Sequence, residues 1–313
     1  MPRLWYFPAV RLSPGHRVVP MKELALWLYR FCTARRRQHL LARLRQSGQV
    51  PVAILFYHRV ADDCPNAWSL PTADFARHLD WLQQHFDIVS LAEAQRRITS
   101  GSCQRPTVSI TFDDGYADNA RFAIPELVRR NLTATYFVAT EFVRTQRPFP
   151  HDVAAGQPLP PNTVDQLRAF AEQGIEIGAH TCRHVDLGRV AGTADIEEEI
   201  VGSAQQLEQW LDRPVRYFAF PYGLPANMTQ AAVDVIAAHG FHGFCSAFGD
   251  WNWPGSGGYH LRRIHADPGC QRLKNWLTLD PRKLQRQFSL PFVEPPHTAV
   301  ATMSPALQGA DCS

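Results

Sequence analysis

The chain has 313 residues, 45% of them hydrophobic and 19% charged, with a net charge of +3; that is material for one large α/β domain or two small ones. Its seven cysteines, Cys32, Cys64, Cys103, Cys182, Cys245, Cys270 and Cys312, are scattered and form no C-x-x-C pair. They argue against a disulfide framework or a zinc ribbon and for reduced thiols in a cytoplasmic setting. No run reaches the roughly 18 uninterrupted apolar residues of a membrane-spanning helix, and no period of roughly 20 to 50 residues marks a solenoid or propeller.

Residues 1–50 carry ten Lys or Arg against the single Glu23, leaving a net charge of about −6 on the rest, so this arm is a separate electrostatic object. Leu24, Trp27, Leu28 and Phe31 recur at helical spacing, Arg35, Arg36 and Arg37 interrupt, and Leu40, Leu41 and Leu44 resume on another face. A secretory signal peptide fits poorly, because the apolar run is short, holds Arg30 and ends on positive charge instead of a small-residue cleavage site. The arm therefore reads as a helical extension, either docked on the body or lying on anionic lipid as a peripheral membrane contact at the inner face of the membrane.

From residue 51 to about 287, short apolar runs alternate with helical patterns. Strands are predicted at Val52–Tyr57, Thr107–Phe112, Ala134–Val138, Ile175–Ala179, Tyr217–Phe220, Gly243–Ala247 and Tyr259–Ile264. Helices are predicted at Asp74–Phe86, Leu91–Ile98, Ala117–Arg130, Val164–Gln173, Thr193–Leu211 and Asn227–His239, with Gly174 and Gly240 as stops. About seven nearly continuous apolar strands between helices imply an α/β fold whose parallel sheet is open or closed into a distorted (β/α) barrel, with chemistry at the strand C-termini. Residues 141–163, rich in Pro and Gly, read as a long surface loop near the site. Residues 288–313 lack apolar periodicity and are expected to be a disordered or loosely draped tail.

Four strand ends carry candidate chemistry. Asp113 and Asp114, in Thr-Phe-Asp-Asp-Gly-Tyr, end a strongly apolar strand. Adjacent carboxylates there need a cation, a metal or solvent, although a solvated turn would also explain them. His180 and His184 follow the next strand but one and, four apart on a helical turn, can share an ion. A lone pair of this kind is more often ordinary surface, but with Asp114 it makes a two-histidine, one-carboxylate face that leaves positions for water and substrate. Phe-Ala-Phe-Pro-Tyr-Gly, residues 218–223, can present the backbone N–H of Tyr222 to an oxyanion, or be a tight turn. Arg262, Arg263 and His265 close the series, His265 as a general acid or as a rim histidine without a role.

In their order and separation these motifs resemble the NodB-like polysaccharide deacetylases, carbohydrate esterase family 4, over roughly residues 50 to 275. The early Tyr57-His58-Arg59 and the Phe-Ala-Phe-Pro-Tyr-Gly segment are similar to the branch linked to exopolysaccharide. The resemblance implies that Asp113 is the general base and that Asp114, His180 and His184 hold a divalent metal, zinc first, cobalt or nickel also possible. It further implies that Tyr222 gives its N–H to the oxyanion and that His265 protonates the departing amine. An Arg two residues before the Pro of the third motif, which orients the base in many members, is here Ala219; Arg263 or Arg262 is the expected substitute. The family's Asp-x-x-Asp-Trp motif is not clear around Asp250 and Trp251, and His58 reads as a structural histidine.

The expected activity is metal-dependent removal of N-acetyl groups from a polysaccharide or oligosaccharide containing N-acetylhexosamine. Alternatives are hydrolysis of a small amide, O-acetyl esterase action on a polysaccharide, or a non-catalytic carbohydrate-binding relative. The basic arm brings no nucleic-acid recognition motif, so no nucleic acid partner is expected.

Overall fold

The computed structural model describes residues 21–266, 269–282, 284 and 290–293. Its strands are β1 (Val52–Tyr57), β2 (Arg59–Val60), β3 (Ser69–Leu70), β4 (Asp87–Val89), β5 (Thr107–Phe112), β6 (Thr135–Val138), β7 (Glu176–Ala179), β8 (Tyr217–Ala219), β9 (Gly243–Ser246), β10 (His260–Arg262) and β11 (Ile264–His265). The main sheet runs β10-β9-β8-β7-β6-β5-β1-β11, every neighbour parallel. The two ends of that path, β10 and β11, are separated in the chain by Arg263 alone. One continuous run of chain thus pairs first with β9 (Arg262 opposite Ser246) and then with β1 (Ile264 opposite Leu55), which closes a nearly complete distorted (β/α) barrel.

All seven predicted strands are present, the last one split at Arg263. The sequence reading missed β4, which pairs the first half of β5 while β6 pairs its second half. Side chains alternate along the strands as a barrel requires. In β1, Val52 and Ile54 join Phe137, Tyr217, Ala219, Cys245 and Leu261 in an inner cluster, while Ala53, Leu55 and Tyr57 face the outer helices.

Helices α1 (Met21–Gln46), α2 (Thr72–His85), α3 (Leu91–Thr99), α4 (Ala123–Arg129), α5 (Thr140–Thr145), α6 (Pro150–Ala154), α7 (Val164–Glu172), α8 (Thr193–Glu197), α9 (Ser203–Leu211), α10 (Gln230–His239) and α11 (Cys270–Leu277) complete the chain. Amphipathic α3, started by Ser90, whose Oγ accepts from Glu93 N–H, puts Leu91, Ala94 and Ile98 into the inner cluster. Gln95 on α3 bonds Tyr217 and the carbonyls of His242 and Gly258, so this helix plugs the end of the barrel where the strands begin. The opposite, C-terminal end is left for the site.

Two helix predictions and one loop prediction need correcting. The expected helix Ala117–Arg130 is a 3₁₀ turn (Ala117–Ala120) followed by α4. The expected continuous helix Thr193–Leu211 contains a π turn at Glu198–Gly202. Residues 141–163 lie beside the site as expected but are not all loop: α5 and α6 interrupt them, with Phe142, Phe149 and Leu159 packed on Tyr116 and Ala139.

Helix α1 packs on α11. Buried Arg37 donates to the Asn275 carbonyl (2.8 Å), the Asn275 side chain and Thr278, and Tyr29 donates to Asp280 (2.8 Å). No described helix is long and apolar enough to cross a membrane. Residues 1–20 and most of the expected tail lie outside the described residues, but Phe292 is buried against Phe244 and His260.

Candidate active site

Every candidate side chain leaves the barrel where a strand ends. Asp113 and Asp114 follow β5, His180 and His184 follow β7, Tyr222 follows β8, and Arg263 and His265 lie in the closing run. All seven line one cavity of about 410 Å³, together with Phe56, His58, Trp68, His151, Phe220, Leu224 and Ala247.

Asp114, His180 and His184 offer ligand atoms that all lie within 4.8 Å of one another. His184 Nε2 is 3.1 Å and His180 Nε2 3.5 Å from Asp114 Oδ1. That buried oxygen accepts no hydrogen bond, an arrangement costly for a carboxylate unless a cation completes it. His180 Nδ1 lies 2.7 Å from the Ala219 carbonyl, which can only accept, so the proton sits on Nδ1 and the Nε2 lone pair points at the trio. Burial pushes the Asp114 carboxyl up, but the adjacent His184 and His180, and His58 beyond them, hold it well below the usual carboxylate range. A carboxylate with two imidazole nitrogens is a donor set that zinc, cobalt and nickel all accept, and the trio fits a divalent ion.

The histidine pair is not on a helical turn, as its spacing suggested. Residues 180–184 are irregular, with Thr181 (φ 63°) and His184 (φ 55°) in the left-handed region, as are Asp114 (φ 76°) and Tyr222 (φ 61°). Four of the nine non-glycine residues with positive φ among the described residues therefore crowd this site, and such backbone persists only where its surroundings enforce it. The enforcing contacts come from two sides. The amides at the start of α5, Thr140 and Glu141, donate to the carbonyls of Thr181 and Cys182. Opposite, Glu199 in the π turn is 1% exposed and accepts from Arg183 N–H (2.9 Å) and Arg183 Nε (2.6 Å), while its carbonyl accepts from Cys182 N–H.

Asp113 is held apart from the trio. Arg263, fully buried, grips it bidentately, Nη1 to Oδ1 at 2.6 Å and Nη2 to Oδ2 at 2.8 Å. It also donates to the Ser246 carbonyl and Thr111 Oγ1, with its guanidinium over the Phe56 and Phe137 rings. Of the two arginines considered for this tether, Arg263 reaches Asp113, whereas Arg262 pairs with Asp250.

His265 lies against Phe56 (4.9 Å between ring centroids), His58 (5.7 Å) and Trp68 (6.1 Å). His58, read from sequence as structural, thus lines the cavity. Trp68 (43% exposed) and Tyr222 (59% exposed) stand at its rim, Tyr222 with its ring 5.3 Å from His184. Sequence reasoning missed Trp68, His151, Phe149 and Glu199. His151 meets Tyr116 Oη at 3.0 Å, and Phe149 sets its ring edge-on to His184 at 5.6 Å. None lies in a strand-end motif, which is why no local signal singled them out.

Residues 100–244 match the family model for polysaccharide deacetylase. YxkH of Bacillus subtilis (strain 168), named as a polysaccharide deacetylase, is 25% identical over 237 residues, covering 73% of this chain and 76% of its own. Among solved structures, IcaB from Ammonifex degensii superposes with a TM-score of 0.61 at 23% identity, over 74% of this chain and 96% of that one. The Streptococcus pyogenes deacetylase PplD, solved with acetate, gives 0.61 at 20% identity, over 76% and 99%; at these identities the two structures speak for the shared fold. With the family model and the sequence relative in agreement, residues 100–244 belong to a polysaccharide deacetylase domain, the hydrolase domain that this relative's name also carries.

Proposed function

We propose that this protein removes N-acetyl groups from a polysaccharide containing N-acetylhexosamine. The observation that carries the reading is the division of labour between two adjacent carboxylates: Asp114 turned to two imidazoles, Asp113 clamped by Arg263 in the same cavity. A divalent ion held by Asp114, His180 and His184, zinc being the first expectation, would polarise the acetyl carbonyl and acidify a water.

In this reading Asp113 accepts the proton of the attacking water. The bidentate grip of Arg263 keeps Asp113 aimed, and so stands in for the Arg that Ala219 replaces. The Tyr222 N–H donates to the developing oxyanion, an interaction typically worth about 3–4 kcal/mol in the transition state. Amines leave poorly, so His265 donates a proton to the departing nitrogen. Exposed Trp68 and Tyr222 at the rim support a sugar substrate, whose apolar ring faces pack on aromatic side chains.

The test is acetate release from chitooligosaccharides and poly-N-acetylglucosamine, with an O-acetylated polysaccharide and a small N-acetyl amide alongside, before and after chelation. The reading expects N-deacetylation of the sugars, loss with chelator, return with added zinc, and a fall of about 10²–10⁴-fold in Asp113→Asn. Preference for the ester or the small amide would move the substrate assignment. Chelator-insensitive release, or none from any substrate, would remove the metal-hydrolase reading.

A further inference from the structure

Helix α1 has two faces that are chemically distinct. At roughly 100° per residue, Arg37, Leu40, Leu41 and Leu44 share the side that meets the body, where the leucines pack on the main core. Met21, Leu24, Trp27, Leu28 and Phe31 fall within an arc of roughly 120° on the other side. They are 88%, 49%, 43%, 46% and 69% exposed, and Trp27 stacks on Phe31 at 5.6 Å. This explains why the sequence shows no single apolar stripe: one stripe is used for docking, and the other begins half a helix earlier and points away.

That second stripe is unusual for this molecule. It holds five of the eleven large apolar side chains exposed among the described residues, and three of the other six (Trp68, Tyr222, Leu224) line the catalytic cavity. A contiguous exposed patch of this kind marks an interaction site. Along the same outward side the helix continues with exposed Arg35, His39 and Arg43, with Arg36 beside them, and no acidic residue occurs between Glu23 and the helix end.

We propose that the outward face of α1 is a site for an anionic bilayer surface. The apolar half enters the interface between headgroups and acyl chains, while the arginines of the second half lie over the anionic headgroups. Charge decides this occupant over a second copy of the chain, because two such faces would bring their cationic halves onto surfaces with no acidic residue to receive them. The inference does not rest on the deacetylase reading; it would place whatever chemistry the barrel performs beside a membrane.

The test is co-sedimentation of the full chain with phosphatidylcholine vesicles and with vesicles containing phosphatidylglycerol, at low and high salt. Binding is expected on the anionic vesicles, at least about tenfold weaker on the neutral ones, and weakening with salt. Leu28→Ser with Phe31→Ser, and separately Arg35→Glu with Arg43→Glu, are each expected to lower vesicle affinity at least about tenfold. Both should leave thermal unfolding unchanged, since the four side chains are exposed. If the serine pair lowers the unfolding temperature, Trp27→Ser provides the apolar arm instead. Vesicle binding indifferent to the apolar substitutions would reduce the face to a polyanion attractor. A dimer in solution lost in the serine variant would assign the face to a second copy. Either result, or no binding, overturns the proposal.

Discussion

Asp113 and Asp114 share a backbone and little else. One is locked to a buried guanidinium, and the other faces two imidazoles with an oxygen that accepts no hydrogen bond. The carboxylates and histidines were legible in the sequence because each ends a strand whose apolar run is plain. Arg263 was one of the two arginines expected to tether Asp113, but the groups that hold the histidine segment were not legible, because they come from elements distant in sequence and act largely on its backbone. Glu199 is the clearest case: a helical glutamate looks solvent-facing in any periodicity, and only the π turn rolls it inward to Arg183. Its contacts hold a segment whose Thr181 and His184 backbones are left-handed. Glu199→Gln should therefore weaken zinc binding by about 10–100-fold, as loss of an outer support typically does, measured by competition with a chromophoric chelator. Unchanged affinity would make Glu199 a purely structural residue.

At the scale of elements, the helix-and-strand alternation was readable and the irregularities were not. The segment 141–163 looked like a loop because Pro and Gly punctuate it, yet Phe142 and Phe149 stack at 4.1 Å and give it a small core of its own beside His184. The docking of α1 depended on Arg37, which in sequence is one of three consecutive arginines with nothing to mark it as the buried one. Asp280 anchors that docking. Burial raises its carboxyl, but hydrogen bonds from the Arg282 side chain and backbone and from Tyr29 bring it below the usual range. A depressed folded-state value means its stabilisation is complete above the unfolded value of about 3.9 and is lost as pH falls through the folded one. Amide exchange across α1 should therefore accelerate in wild type only below about pH 4, whereas Asp280→Asn should show the faster exchange already near neutrality. Equal protection in the two proteins at neutral pH would show that Asp280 is not the anchor.

For the whole molecule, the strand pattern predicted a parallel sheet but left open whether it closes. Closure rests on one residue: the run from His260 to His265 changes partner at Arg263, and that residue's side chain enters the barrel to hold Asp113. The position that completes the barrel is thereby the one that orients the proposed base, a coupling no local sequence pattern could reveal. The account stands on the separation of metal binding from proton transfer within one cavity. The most direct measurement is zinc affinity and acetate release on the same preparations of wild type, Asp113→Asn and His184→Ala. The account predicts that Asp113→Asn binds one zinc with near wild-type affinity yet loses at least about 100-fold in turnover, and that His184→Ala loses both. An Asp113→Asn protein that keeps its turnover, or a His184→Ala protein that keeps its zinc, would contradict it.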